Sequence, residues 1–294
     1  MKPAVPSLTY VVDQIGLILL AMAFAASPLS ARDMLPPCEY ASQQSEPADA
    51  ATFDSAAEAQ FVSLINHERA SNGISPLTVD RRLTAAARKH SERMAQHSEV
   101  VHQLPGEPPP QTRIANEKLP FSGTSENVGD TNRGVLVAHD GFMHSPPHRA
   151  TILDPKYNAV GVGVVRVGDM IYITEDFAHT LPEYSDPQAE SAVEAAIAQY
   201  AKEHGMLAPT RRVELELHQM ACTMGVRDKL NGEDAMELPG VHGVLAWTAE
   251  DPAKLPKGIV QVLSPKVSQY ALGACFAPSA RHPGGVYWLV MVSY

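Results

Sequence analysis

An internal repeat constrains this chain more than any single motif does. Ile152-Leu153-Asp154-Pro155-Lys156-Tyr157-Asn158-Ala159-Val160-Gly161-Val162-Gly163-Val164 aligns without gaps on Val262-Leu263-Ser264-Pro265-Lys266-Val267-Ser268-Gln269-Tyr270-Ala271-Leu272-Gly273-Ala274. Leu, Pro, Lys and the second Gly are identical, and most other pairs keep size or polarity. Upstream, Asn72-Gly73 before Arg81-Arg82-Leu83 echoes His204-Gly205 before Arg211-Arg212-Val213, and Met94 falls opposite Met224. Downstream, Ile171-Tyr172-Ile173 matches Val286-Tyr287-Trp288. These echoes occur in one order, which predicts two tandem copies of one domain, the second shortened.

A chain of 294 residues has room for two such domains, and 45% hydrophobic residues suffice for two cores. The net charge of −10, with no basic run, excludes a nucleic-acid partner, whose phosphates reward clustered Lys and Arg. At the N-terminus, Lys2, the apolar run Ile15 to Met22 and Ala23-Phe24-Ala25 have the order of a secretory signal over residues 1–25. The run is shorter than the ~20 residues of a spanning helix, so the mature chain is expected to keep no stable membrane anchor and to be secreted: extracellular, periplasmic or wall-associated. Cys38 lies in a Pro-rich stretch. In an oxidising compartment Cys222 and Cys275 could form a bridge, or they could be two buried thiols packing as small hydrophobes.

Residues 26–53 hold few apolar anchors and are expected to be a flexible tail. Asp54 or Ser55 can cap a helix that carries Phe61, Leu64 and Ile65 on one side and stops at Gly73. Asp80 can cap a second helix running to about Gln96, and Gly134 to Met143 reads as a third, ended by Pro146-Pro147. Tyr157 to Val167, the turn Gly168-Asp169 and Met170 to Phe177 form a hairpin. Residues 181–191 read as a linker. The second copy, residues 192–294, is expected to repeat the order, with helices at Ala192 to Glu203 and Arg211 to Met224 and a hairpin at its end. Helices first and a hairpin last predict an α+β fold with helices covering a sheet.

Four stretches resemble the CAP superfamily, also called the SCP-like extracellular domain, in its bacterial form. They are Phe61-Val62-Ser63-Leu64-Ile65-Asn66-His67-Glu68-Arg69-Ala70 with Gly73 and Pro76-Leu77; Ser125-Glu126-Asn127-Val128, close to the G-E-N signature; His144-Ser145-Pro146-Pro147-His148-Arg149-Ala150-Thr151-Ile152-Leu153, close to S-P-G-H-R-x-N-I-L; and Tyr172-Ile173-Thr174-Glu175-Asp176-Phe177. The resemblance implies an α-β-α sandwich over residues 54–180. It also implies a cleft lined in many members by two His and two Glu. Carried over, the first His falls on His102 and the first Glu on Glu126. The second Glu falls on Ser145 and the second His on Tyr172, so two of the four positions depart from the pattern. His148 of the His-Arg motif is expected to face the same cleft, Asn127 to hold structure, and Arg149 to brace its loop.

His102, His148 and Glu126 have the donor chemistry of a metal or acid–base cluster, with His102 and His148 as ligands of a divalent metal such as zinc. The same residues can instead hold loops across the sheet through backbone bonds. Most histidines of the lobe, including the His139, His144, His148 series, read as solvated, as do the acidic pairs Glu175-Asp176 and Glu233-Asp234. Ser125 and Ser145 lack the surroundings of a nucleophile elbow, and the second copy has nothing matching Glu126-Asn127 or His148-Arg149. The leading expectation is a secreted, non-enzymatic binding module that takes a lipid, cell-wall component or protein in its first lobe. The competing one is a metal-dependent hydrolase or protease using His102, Glu126 and His148.

Overall fold

The structure, a computed structural model, describes residues 51–294; the signal segment 1–25, Cys38 and nearly all of the expected tail lie outside them. The first half runs β1 (Thr52–Phe53), α1 (Ser55–Ser71), β2 (Thr78–Val79), α2 (Arg81–His97), α3 (Pro110–Asn116), β3 (Phe121–Thr131), α4 (Val135–His144), α5 (Pro146–Ile152), β4 (Ala159–Val167) and β5 (Met170–Thr180). Its sheet has the order β1-β4-β5-β3, and β2 pairs parallel with β4. Residues 52–53, assigned to the tail from sequence, are a strand, because Thr52 and Phe53 pair with Arg166 and Val165.

The caps are where the residue types place them. Asp54 accepts from Ala57 N at 3.0 Å and Asp80 from Arg82 N at 2.7 Å, each satisfying an orphan amide of a first helical turn. The bond from Ala57 and the Arg166 guanidinium hold the Asp54 carboxyl below its usual range. On β4, Val160, Val162 and Val164 face α1 and join Phe61, Ile65, Ile171, Ile173 and Phe177 in the larger core. Gly161 and Gly163 face α2, where a Cβ would overlap the backbone of Leu83 and Thr84 or of Ala87 and Arg88. Glycine here lets helix and sheet backbones touch, and Ser91 Oγ donates to Gly163 O across the gap at 2.9 Å.

Three expectations for this half need correction. α4 ends at His144, before Pro146-Pro147 as expected, but the segment that follows is not a loop: both prolines sit in the first turn of α5, where the missing N–H costs nothing. Glu175 and Asp176 are buried, not solvated, since β5 lies between β4 and β3 with helices over both faces. His139 is buried as well, while His144 is exposed and pairs with Asp140 at 3.2 Å.

The second half runs α6 (Asp186–Glu203), β6 (Thr210–Arg212), α7 (Leu215–Arg227), a 3-10 turn at Glu233–Glu237, β7 (Gly243–Ala249), a 3-10 turn at Lys257–Gln261, β8 (Gln269–Ala277) and β9 (Val286–Ser293). Its sheet has the order β6-β8-β9-β7, with β6 parallel to β8 and the other pairs antiparallel. Ala189, Val193 and Ile197 of α6 cover one face with Tyr270, Leu272, Tyr287, Leu289 and Met291. Leu217, Ala221 and Met224 of α7 cover the other with Ala271, Cys275, Trp288, Val290 and Val292. The molecule is therefore a mixed α+β fold with helices on both faces of each sheet.

Two boundaries differ from the sequence reading. The linker is shorter than 181–191, because Ser185 and Gln188 form a capping box and Pro187 is tolerated in the first turn, so α6 starts at Asp186. The second helix of this half starts at Leu215 and not at Arg211: Arg211 and Arg212 are drawn into β6, pairing with Tyr270 and Ala271, and Arg211 forms ion pairs with Glu190 and Glu194 of α6. The structure joins Cys222 of α7 to Cys275 of β8 by a disulfide, with Cα atoms 5.1 Å apart.

Candidate functional site

Glu126 sits on β3 opposite Asp176 of β5, and cross-strand partners share a face. That face meets the loop after α2 and the short helix α3, which deliver the partners of Glu126. His102 Nδ1 lies 2.9 Å from Glu126 Oε1. Arg113 of α3 donates Nη2–H to Glu126 Oε2 and Nη1–H to the His102 carbonyl, the latter at 2.9 Å. Both carboxylate oxygens of Glu126 are therefore in use. The bond to Glu126 raises the His102 pKa, against the effects of its partial burial and of the nearby Arg113 charge. The His102 side chain keeps 58% of its surface exposed. With Nδ1 bound to Glu126, its Nε2 is left to serve a ligand: as a lone pair on the neutral ring, as an N–H on the charged one.

A buried chain of contacts extends behind this pair. Arg113 Nη1 is 3.4 Å from Glu107 Oε2, and Glu107 Oε1 is 3.0 Å from His90 Nδ1, whose Nε2 faces Val101 O at 2.8 Å. Both ring nitrogens of His90 thus face an oxygen atom at hydrogen-bond distance. Burial pushes the Glu107 carboxyl up, but the Leu104 amide, His90 and Arg113 outweigh it and hold it below its usual range. Asp176 has no such help. Burial first, then the neighbouring Glu126 charge, push its carboxyl well above the normal range, with Arg113 opposing. Of the two adjacent carboxyls, Asp176 is therefore the one pushed toward its neutral form. Sequence reasoning missed Arg113, Glu107, His90 and Asp176, since only the strand register and the α2–α3 connection bring them to Glu126.

Asn127 points to the opposite face, as alternation requires. Its Nδ2 donates to Glu175 Oε2 at 3.0 Å and to the His148 carbonyl at 3.3 Å, so it ties α5 to the sheet. Burial raises the Glu175 carboxyl to about 7, with Asn127 partly offsetting it. The His148 ring packs on Phe142 with centroids 5.0 Å apart, and burial followed by the charge of His102 lowers its pKa. Ser145 and His148 line a cavity of about 340 Å³ with Asp130, Thr131, Arg133 and Phe142. Tyr172 does not line it; it is buried among Met94, Leu104 and Val128.

Arg149 is not a brace. It is exposed, its guanidinium has no hydrogen bond or ion pair among the described residues, and only its backbone joins α5, through Ser145 O and Leu153 N. Pro147 and Thr151 hold the turn without it. The bracing arginine is Arg69 at the end of α1, fully buried and donating to the carbonyls of Ser75, Ile152, Asp154 and Tyr157 at 2.8–3.1 Å. The donor set does not fit a catalytic zinc. Such a site needs three free protein ligands, and Glu126, the carboxylate that His102 contacts among the described residues, already serves Arg113 and His102 itself.

Comparison with known proteins places the matching segment here. Residues 62–177 match the family model described as CAP, the cysteine-rich secretory protein family. The chain is 30% identical over 116 residues to the uncharacterized protein YkwD of Bacillus subtilis, covering 40% of this chain and 45% of that protein. It is 28% identical over 120 residues to the uncharacterized membrane protein YlbC of the same organism, covering 41% of this chain and 34% of the relative. The alignments thus span less than half the length of these curated relatives. Among solved structures, an extracellular protein containing an SCP domain from Bacillus anthracis aligns at 25% identity with a TM-score of 0.40, over 42% of this chain and 41% of that one. Residues 62–177, which include His102, Glu126 and His148, are thus the part of the chain that is similar to CAP (SCP-like) domains.

Proposed function

We propose that the chain is a secreted protein whose first half is a non-enzymatic binding module, and that its ligand, a lipid, a cell-wall component or another protein, engages His102 with Glu126 and His148. The observation that carries this reading is the saturation of Glu126. A carboxylate bound through one oxygen to Arg113 and through the other to His102 is poorly placed to act as a base or to complete a metal site, and well placed to orient an exposed imidazole. His102 then acts as a directed polar contact, and as a cation at mildly acidic pH because its pKa is raised. The extracellular setting agrees with the match of residues 62–177 to the cysteine-rich secretory protein family.

We also infer that residues from α6 onward are a shortened copy of the first domain. Strand order supports this: β2 on β4 in parallel, then β5 and β3, corresponds to β6 on β8 in parallel, then β9 and β7. Val79 pairs with Val160 and Arg211 with Tyr270, and Gly163 and Gly273 both lie under helix backbone, which supports the ungapped alignment of the two segments. The downstream match is one residue out. Gly163 pairs with Thr174 and Gly273 with Val290, which makes Trp288, and not Tyr287, the counterpart of Tyr172. The longer connection before β9 conceals this slip in the sequence.

Sedimentation with anionic vesicles, neutral vesicles and purified peptidoglycan at pH 5.5 and 8 tests the binding reading. Retention by one of these at pH 5.5, reduced about tenfold or more in His102→Ala, is expected. Stoichiometric zinc in the purified protein, with peptide or ester hydrolysis lost in the same variant, would replace it with the hydrolase reading.

A further inference from the structure

The disulfide of the second half lies in surroundings that a purely structural bridge does not require. Cys222 is half-buried and opens onto a cavity of about 830 Å³ that is also lined by Asp186, Glu190 and His218. His218 and Cys222 are one turn apart on α7, and His218 Nε2 lies 3.8 Å from Cys222 Sγ. The same Nε2 lies 3.9 Å from Asp186 Oδ2. One oxygen of Asp186 and both sulfurs lie within 4.8 Å of one another.

The second contact of each residue fixes its orientation. His218 Nδ1 is 2.8 Å from the Ala274 carbonyl, so it must carry the proton, and the lone pair of a neutral ring is left on Nε2, facing the sulfur. Such a backbone bond to the far ring nitrogen is the usual partner of a metal-bound imidazole. Asp186 Oδ1 accepts from Phe276 N at 3.0 Å, leaving Oδ2 for the cavity. In a tetrahedral zinc site with bonds of roughly 2.0–2.3 Å, ligand atoms stand roughly 3.3–3.8 Å apart. The two distances from His218 Nε2 are already close to that spacing.

We propose that Cys222, Cys275, His218 and Asp186 form a redox-gated site for a zinc-class divalent cation, closed by the disulfide and opened by its reduction. The gate works by thiol–disulfide exchange with a dithiol reductant. A thiolate of the reductant attacks the accessible Cys222 sulfur, the S–S bond breaks, and Cys275 leaves with the electron pair as a thiolate. The second thiol of the reductant then attacks its own sulfur of the mixed disulfide and releases Cys222. The reductant loses two electrons and two protons and becomes a disulfide; the protein gains both as two thiols. Cation binding then releases the two thiol protons to water, and the metal takes two sulfurs, His218 Nε2 and Asp186 Oδ2. The sulfurs must move apart from bonding distance to roughly 3.7 Å, a side-chain rotation at Cys222, whose helix position is open to the cavity.

Cobalt(II) tests this on the full chain, because a thiolate-to-cobalt charge-transfer band requires sulfur ligands and cannot come from His102 or Glu126. The chain reduced with a phosphine under metal-free conditions should bind one cobalt per molecule with that band, while the oxidised chain should show none. His218→Ala should weaken binding by at least ~100-fold, since loss of an outer-shell partner alone weakens metal sites by 10–100-fold. Trp247 and Trp288 are the two tryptophans of the chain and both lie in this half, so their fluorescence reports whether it stays folded on reduction. Three results would overturn the proposal: no band in the reduced, folded chain; equal affinity in His218→Ala; or a reduced chain whose tryptophan signal is that of the unfolded state.

Discussion

Beneath α2 the first sheet carries Thr174, Asp176 and Glu126, met by Ser91, His90 and, through α3, Arg113; beneath α7 the second carries Ala271, Cys275, Trp288, Val290 and Val292. Glycine sets the same close approach of helix to strand in both, Gly163 under Ala87 and Arg88, Gly273 under Leu217 and His218. The chemistry filling the rest of the layer is opposite. Among the described residues every buried polar or charged side chain except Ser293 belongs to the first half. Buried polar groups must be paired to be tolerated, and holding them costs stability that an apolar layer would supply. The first half keeps them where His102 reaches the surface. The second half has an apolar layer and a covalent staple.

The largest effect should come from the keystone of the polar layer. Arg113→Met leaves Glu126 and Glu107 buried without their shared cation, and a broken buried pair costs about 3–5 kcal/mol. Urea unfolding followed by far-ultraviolet circular dichroism measures this. If the two halves unfold independently, tryptophan fluorescence, which reports only the second, will keep its midpoint. Removing the staple is the reciprocal experiment. Replacing both Cys222 and Cys275 by Ala frees a loop with a sequence separation of 53 and should cost about 4 kcal/mol, this time moving the fluorescence midpoint. A shift of the same size in the unfolding of the first half would show that the contrast between the halves does not extend to their stabilities.

Glu175 gives the polar half a pH dependence in the range from about 4.5 to about 7. Its folded pKa is raised to about 7 from a usual 4.5. The folded state therefore holds a proton that the unfolded state has released, and stability falls as pH rises from about 4.5 through about 7. Glu175→Gln should flatten that decline and stabilise the protein above pH 7, on the order of 3 kcal/mol by the size of the shift. An unchanged pH profile would show Glu175 to be ionised in place. The smallest expected effect is the shared one: Gly163→Ala and Gly273→Ala each force α2 or α7 off its strand and should cost about 1–3 kcal/mol, nearly equal in the two halves. A tolerated Gly273→Ala beside a disruptive Gly163→Ala would remove the geometric basis of the duplication.

Local rules decided much of what the sequence made legible. Asp54 and Asp80 cap helices because their short carboxylates reach a free amide within the same turn, and the β4 and β8 hairpins follow from alternation and turn residues, all interactions within a few positions. The contact of His102 with Glu126 could be expected from the resemblance of short motifs. Other features depended on which strand lies in the middle of the sheet and which loop crosses its edge. Glu175 and Asp176 look like solvated charge in sequence and are buried because β5 has a neighbour on each side. Arg149 looks like the anchor and its guanidinium has no partner among the described residues, while Arg69, part of an ordinary helix end, reaches four carbonyls brought to it from Ser75 and from the α5–β4 connection. Arg113 carries no local signal at all. A side chain's burial and charge partners are fixed by contacts between segments tens of residues apart, and no periodicity of 3.6 or 2 encodes them; only the tertiary structure decides that a histidine with an exposed edge is held from behind by a carboxylate, an arginine and a second buried acid.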